Sequence, residues 1–173
     1  ELHGSELRDP RTAIDFYKQS LSHDALHRNT VAALERYLAP VGEYTVEVAA
    51  VLAPFYETTE DWVRLGSALE VLMGAAATVD DKLTLLKRLS IIYGRKRGDA
   101  AAACANAQRV FALSPGDPEN RVELRHLAEM VQDFESLILL YDAALENAEP
   151  ALQRALAWEI AEIYDQNLRS AKD

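Results

Sequence analysis

The residues able to do chemistry are few and scattered. His23-Asp24-Ala25-Leu26-His27 sets two imidazoles one helical turn apart, a spacing that can hold zinc and superficially echoes the His-Glu-x-x-His metalloprotease pattern. Asp stands where the general-base Glu would be needed, and no third ligand is evident. Two solvated histidines at a helix start, with Asp24 as its cap, is the better reading. Cys104 lies within Ala101-Ala102-Ala103-Cys104-Ala105, with no basic neighbour in that run to lower its pKa, which suits a packing role. His126 has no local Ser or Asp partner, and neither a Gly-rich phosphate loop nor a G-x-S-x-G elbow occurs. These features point away from an enzyme, a metal centre or a cofactor. Arg95-Lys96-Arg97, with Lys87 and Arg88 two turns earlier, forms a basic cluster in an acidic chain. It reads either as cations at a helix C-terminus, where carbonyls are unpaired, or as a site for an acidic ligand.

The elements that must position these residues are helical. Apolar side chains recur at helical spacing nearly throughout the 173 residues, and no useful stretch alternates like a strand. The spacing predicts helices over 10–22, 25–39, 43–57, 60–77, 80–95, 99–113, 118–131, 133–148 and 150–167, with a tenth beginning near 170. Asp9, Asp24, Asp80, Asp99, Asp117 and Asp133 stand where a carboxylate can cap free backbone N–H groups. Pro10, Pro118 and Pro150 fall in first turns, where a missing N–H costs nothing. The short links between the helices make neighbours antiparallel.

Charge and composition remove whole classes of function. A net charge of −10 opposes binding to nucleic acid phosphates and to anionic membranes. Apolar runs such as Leu137 to Tyr141 are too short to span a bilayer. A single cysteine excludes an internal disulfide and fits a reducing compartment such as the cytoplasm.

Self-similarity organises the chain. Glu60-Asp61-Trp62, Gly98-Asp99-Ala100 and Gln132-Asp133-Phe134 each open a helix, with the shared Asp recurring after 38 and then 34 residues. Leu65, Leu69, Leu72 and Met73 correspond to Ala103, Ala107, Val110 and Phe111, and again to Leu137, Tyr141, Ala144 and Leu145. A period of this length with two helices per unit indicates a solenoid.

In this respect the chain resembles the tetratricopeptide (TPR) repeat family. Leu86, Leu89, Ser90 and Tyr93 fill the large-large-small-aromatic slots of its first helix; Ala103, Ala107, Val110 and Pro115 fill slots of its second helix and closing turn. The link from Tyr93 to Gly98 is one residue longer than the family's, and Ala128 stands where Tyr56 and Tyr93 stand in their units. The resemblance implies an all-α, right-handed solenoid of antiparallel helix pairs, nine or ten helices in one repeat domain over 1–173. Its core should comprise Leu52, Tyr56, Leu65, Leu69, Leu86, Leu89, Tyr93, Ala103, Val110, Leu124, Leu137, Tyr141, Leu156, Ile160 and Tyr164. Helix 43–57 mixes first-helix and second-helix features and contains Pro54, so a change of phase or a kink is expected between about 38 and 58. Ile160, Ala161 and Tyr164 repeat Leu89, Ser90 and Tyr93, with Arg169-Ser170 where Gly98-Asp99 would stand. The pattern then stops as a second helix should start. The expectation is a fragment of a longer array, or an end covered by another chain.

In TPR arrays the first helices line the concave face. Carried over, that face presents Lys87, Ile91 and Arg95, then Val122, His126 and Met130, then Trp158 and Glu162. Trp158 lies off the packing stripe of its helix, either as an anchor for a partner or as packing for a neighbouring unit. The implied function is a scaffold binding a protein or peptide segment, one carrying acidic residues beside an apolar anchor. The alternative is a structural spacer that self-associates through its C-terminal end. Some TPR domains clamp a chaperone peptide's terminal carboxylate, but Ile91, Val122, Glu119, Glu123 and Glu159 supply apolar or repelling groups against that role.

Overall fold

The computed structural model of the chain describes residues 10–23, 27–38 and 42–168. Among them are nine α-helices and no strand: α1 (Pro10–His23), α2 (Arg28–Glu35), α3 (Thr45–Thr58), α4 (Trp62–Ala75), α5 (Val79–Ile91), α6 (Ala100–Leu113), α7 (Pro118–Val131), α8 (Phe134–Leu145) and α9 (Pro150–Ile163). Two π-helical turns follow directly, over Ile92–Lys96 after α5 and Tyr164–Leu168 after α9. The predicted caps at Asp9 and Asp24 and the tenth helix near 170 lie outside the described residues. The chain forms two compact units, Glu1–Leu85 and Leu86–Asp173, whose boundary falls inside α5.

The three self-similar motifs share one construction. Glu60, Gly98 and Gln132 hold left-handed backbone, with φ of 56°, 67° and 57°. The following Asp N–H reaches back into the preceding helix: Asp61 N to Tyr56 O at 2.8 Å, Asp99 N to Tyr93 O at 2.8 Å, and Asp133 N to Ala128 O at 2.9 Å. These bonds occupy carbonyls that the helix end would otherwise leave unpaired. The same Asp then caps the next helix, its carboxylate accepting from Arg64 N, Ala102 N or Ser136 N. One residue thus closes one helix and opens another. Asp80 departs from expectation: it lies inside the first turn of α5, and Thr78 Oγ1 accepts from Asp81 N at 3.1 Å instead.

The longer link after Tyr93 is absorbed by the helix rather than by the loop. Over Ile92–Lys96 the backbone widens to a π turn, with Arg97 N donating to Ile92 O at 3.0 Å. A Cβ added at Gly94 in this turn would stand 3.2 Å from the Ala103 Cβ, so the approach of the turn to α6 calls for glycine. Helices α3 and α7, whose links are shorter, end without one.

In the first unit α3 and α4 pack along one another, with Val48, Leu52, Tyr56, Leu65 and Leu69 fully buried. Pro54 is exposed, and α3 runs unbroken through it. The buried Tyr56 hydroxyl donates to Glu35 Oε1 at 3.0 Å, tying α2 to α3, and Arg64 Nη1 reaches the same carboxylate oxygen at 3.4 Å. Burial first, then the Glu35 bond, push the Tyr56 phenol well above its usual pKa. Lys18 of α1 pairs with Glu47 of α3.

In the second unit Ala103, Ala107, Phe111, Leu124, Leu137, Tyr141, Leu156 and Ile163 form one cluster, with the Phe111 and Tyr141 rings 5.1 Å apart. Small residues let α6 serve both neighbours: Ser90 Oγ of α5 donates to Ala103 O, and Asn120 Nδ2 of α7 donates to Ala107 O, each at 3.1 Å. Of the predicted core, Tyr93 and Ile160 are only partly buried against this cluster, and Tyr164 is 50% exposed. The turn carrying Tyr93 packs on α6, whereas no described helix follows Tyr164. The Tyr141 hydroxyl is buried without a well-formed hydrogen bond, although the Glu159 carboxylate stands beside it.

Candidate functional site

Every side chain singled out in the sequence as groove-lining falls in the second unit, on α5 with its π turn, on α7, or on α9. Lys87 Nζ meets Asp117 Oδ2 at 2.6 Å. Asp117 is the cap of α7, its Oδ1 accepting from Glu119 N at 3.0 Å and Asn120 N at 3.1 Å. The Lys87 ammonium holds the Asp117 carboxyl below its ordinary pKa, against a smaller opposing effect of burial and with help from the Asn120 N–H. Lys87 is therefore engaged in joining α5 to α7 and is not a free ligand cation. Beside this pair a cleft of about 210 Å³ opens, lined by Lys87, Ser90, Ile91 and Arg95 on one side and Glu119, Asn120 and Glu123 on the other. Glu119 and Glu123 set two carboxylates at its wall.

On its other flank α7 is joined to α9. Arg121 Nε meets Glu159 Oε1 at 2.9 Å, and Arg125 Nη1 meets Glu162 Oε2 at 2.7 Å. Arg125 Nη2 also donates to Gln166 Oε1 at 3.1 Å. The Trp158 indole Nε1 donates to Glu162 Oε1 at 3.0 Å, so one carboxylate holds both the indole edge and the α7 guanidinium. Arg125, then Trp158, keep the Glu162 carboxyl below its usual range. Trp158 stays 69% exposed, which excludes it from the packed interior of this unit. On the outward side of α7, Val122 is 72% and Met130 57% exposed, with His126 exposed between them at helical spacing.

The structure thus brings Lys87, Ile91 and Arg95 to one flank of α7 and Trp158 to the other. Sequence reading missed Arg121 and Arg125 as the connectors. Their spacing on one face of α7, matched by Glu159 and Glu162 on one face of α9, was the available signal. The remaining candidates lie away from this face. His27 Nδ1 caps α2, accepting from Thr30 N at 3.3 Å, and His23 is exposed. Among the described residues no group of three His, Cys, Asp or Glu side chains could hold a metal ion. Cys104 is buried, and burial followed by the Asp133 charge raises its thiol pKa. Arg97 lies 4.5 Å over the Tyr93 ring, so part of the basic cluster packs on its own helix end. No described helix is long and apolar enough to cross a membrane. No protein-family model, no curated protein and no solved structure matches the chain.

Proposed function

We propose that the chain is a non-catalytic scaffold of TPR-like helical repeats that holds a protein or peptide segment on the face formed by α5, α7 and α9. In this reading these are the first helices of successive units in a right-handed solenoid, and α6 and α8 form the outside. The observation that carries the reading is Trp158. Its indole is held in place by Glu162 yet left mostly in water, a costly display for a residue type that otherwise packs inward. The exposed Val122 and Met130 extend the same face across α7.

Panning a random peptide display library on the chain, then counter-screening on Trp158→Ala, tests this. Selected peptides should lose binding with Trp158→Ala and weaken with Val122→Ser. Peptides that bind equally well to both variants would place recognition elsewhere. Self-association is the second reading, favoured by the half-exposed Tyr164 after α9. Sedimentation velocity over a concentration series separates the two, since only self-association grows with concentration and falls with Tyr164→Ser.

A further inference from the structure

The face on α7 has a charge imbalance that its sequence composition hides. Helix α7 carries two arginines, and both are turned to the α9 flank, where Glu159 and Glu162 neutralise them. Lys87, on the opposite flank, is neutralised by Asp117. Glu119, Glu123 and Glu129 are left with no cation within ion-pair distance among the described residues, against Arg95 as the one unpaired guanidinium lining the cleft. Helical spacing interleaves these three carboxylates with Val122, His126 and Met130. The surface therefore alternates exposed apolar side chains with uncompensated negative charge, and Trp158 borders it across the Glu162 bridge.

We infer that the segment this face accepts is a basic amphipathic one. Its apolar side chains would sit on Val122, Met130 and Trp158, and its lysines or arginines would turn toward Glu119, Glu123 and Glu129. The inference rests on the scaffold reading above and deepens it by fixing the partner's charge. Complementary charge sets partner choice and association rate more than raw affinity, while the buried apolar contacts supply the hold. The expectation of an acidic ligand depended on Lys87 and Arg95 acting together, and the Lys87–Asp117 pair removes half of that positive site.

Two synthetic peptides test the inference by calorimetry: a leucine–lysine amphipathic helix and its leucine–glutamate counterpart of equal length. The lysine peptide should bind and the glutamate peptide should not. Neutralising Glu119→Gln with Glu123→Gln should weaken binding by roughly five- to tenfold at low salt and flatten its salt dependence. Asp142→Asn with Glu146→Gln, an equal charge change at exposed positions on α8 and just past its end, should leave binding unchanged. Val122→Ser should weaken it at all salt concentrations. Equal losses from the two neutralised pairs would reduce the effect to net charge and overturn the inference. Tighter binding of the glutamate peptide would reverse the polarity while leaving the scaffold reading intact. If neither peptide binds but Trp158-dependent peptides emerge from display, the basic-partner inference alone fails. If display yields none either, the scaffold reading fails with it.

Discussion

Glu60 and Gly98 occupy equivalent places in two copies of one turn, so substitutions there should shift stability in opposite directions. Both hold left-handed backbone, at φ 56° and 67°. An L-residue in that conformation costs about 1–2 kcal/mol, whereas glycine adopts it freely but loses about 0.4–1 kcal/mol more through its looser unfolded chain. A Cβ at Gly98 would meet nothing within 4 Å, so no packing effect enters there. The differences leave about 0.5–1 kcal/mol: Gly98→Ala should destabilise by that amount and Glu60→Gly should stabilise by it. Glu60→Ala is the control, because it removes the same charge and side chain as Glu60→Gly but keeps the strain. Urea midpoints followed by circular dichroism, with unchanged slopes, read the effect. Equal destabilisation by Glu60→Gly and Glu60→Ala would refute the claim that this turn stores left-handed strain.

The Lys87–Asp117 pair predicts a pH dependence of known sign. The folded Asp117 carboxyl lies below its ordinary 3.8, so its stabilisation is present above that value and is lost as pH falls through the lower folded pKa. Lys87→Met should cost about 0.5–1 kcal/mol at neutral pH, a modest figure because Lys87 is half-exposed, and its deficit should shrink below about pH 4 in acid titrations of stability. Cys104 should resist alkylation or disulfide exchange in the native protein at neutral pH and react at a normal rate in denaturant. Rapid native labelling, without local unfolding, would contradict its burial.

The helices and their junctions were legible because their causes are local. Apolar spacing fixes a helix's inward face, and an Asp at the start of α4, α6, α7 and α8 caps backbone N–H groups two or three residues away. Only Gly98 announces its left-handed turn by residue type; Glu60 and Gln132 adopt the same backbone without that signal. The pairing of Lys87 with Asp117 and of Arg121 with Glu159 joins residues some thirty or more positions apart, where spacing along one helix carries no information. For the same reason the charge of the α7 face could not be read from its composition. Which cations remain available depends on neighbours supplied by other helices. Tyr164 was misjudged as core because its slot repeats that of Tyr93, while the burial of Tyr93 depends on the packing of its turn against α6.

The widened turn at Ile92–Lys96 makes the end of α5 behave as a vernier. Asp99 still finds the Tyr93 carbonyl at 2.8 Å, as Asp61 finds that of Tyr56 in a link one residue shorter. What the junction conserves is thus a bond between two fixed partners, and the number of residues between them is free to vary by one. The extra residue is taken up in the pitch of the helix end, before the Asp99 cap that opens α6. A junction defined by that bond sets where the next helix begins and leaves the length of the unit before it open by one residue.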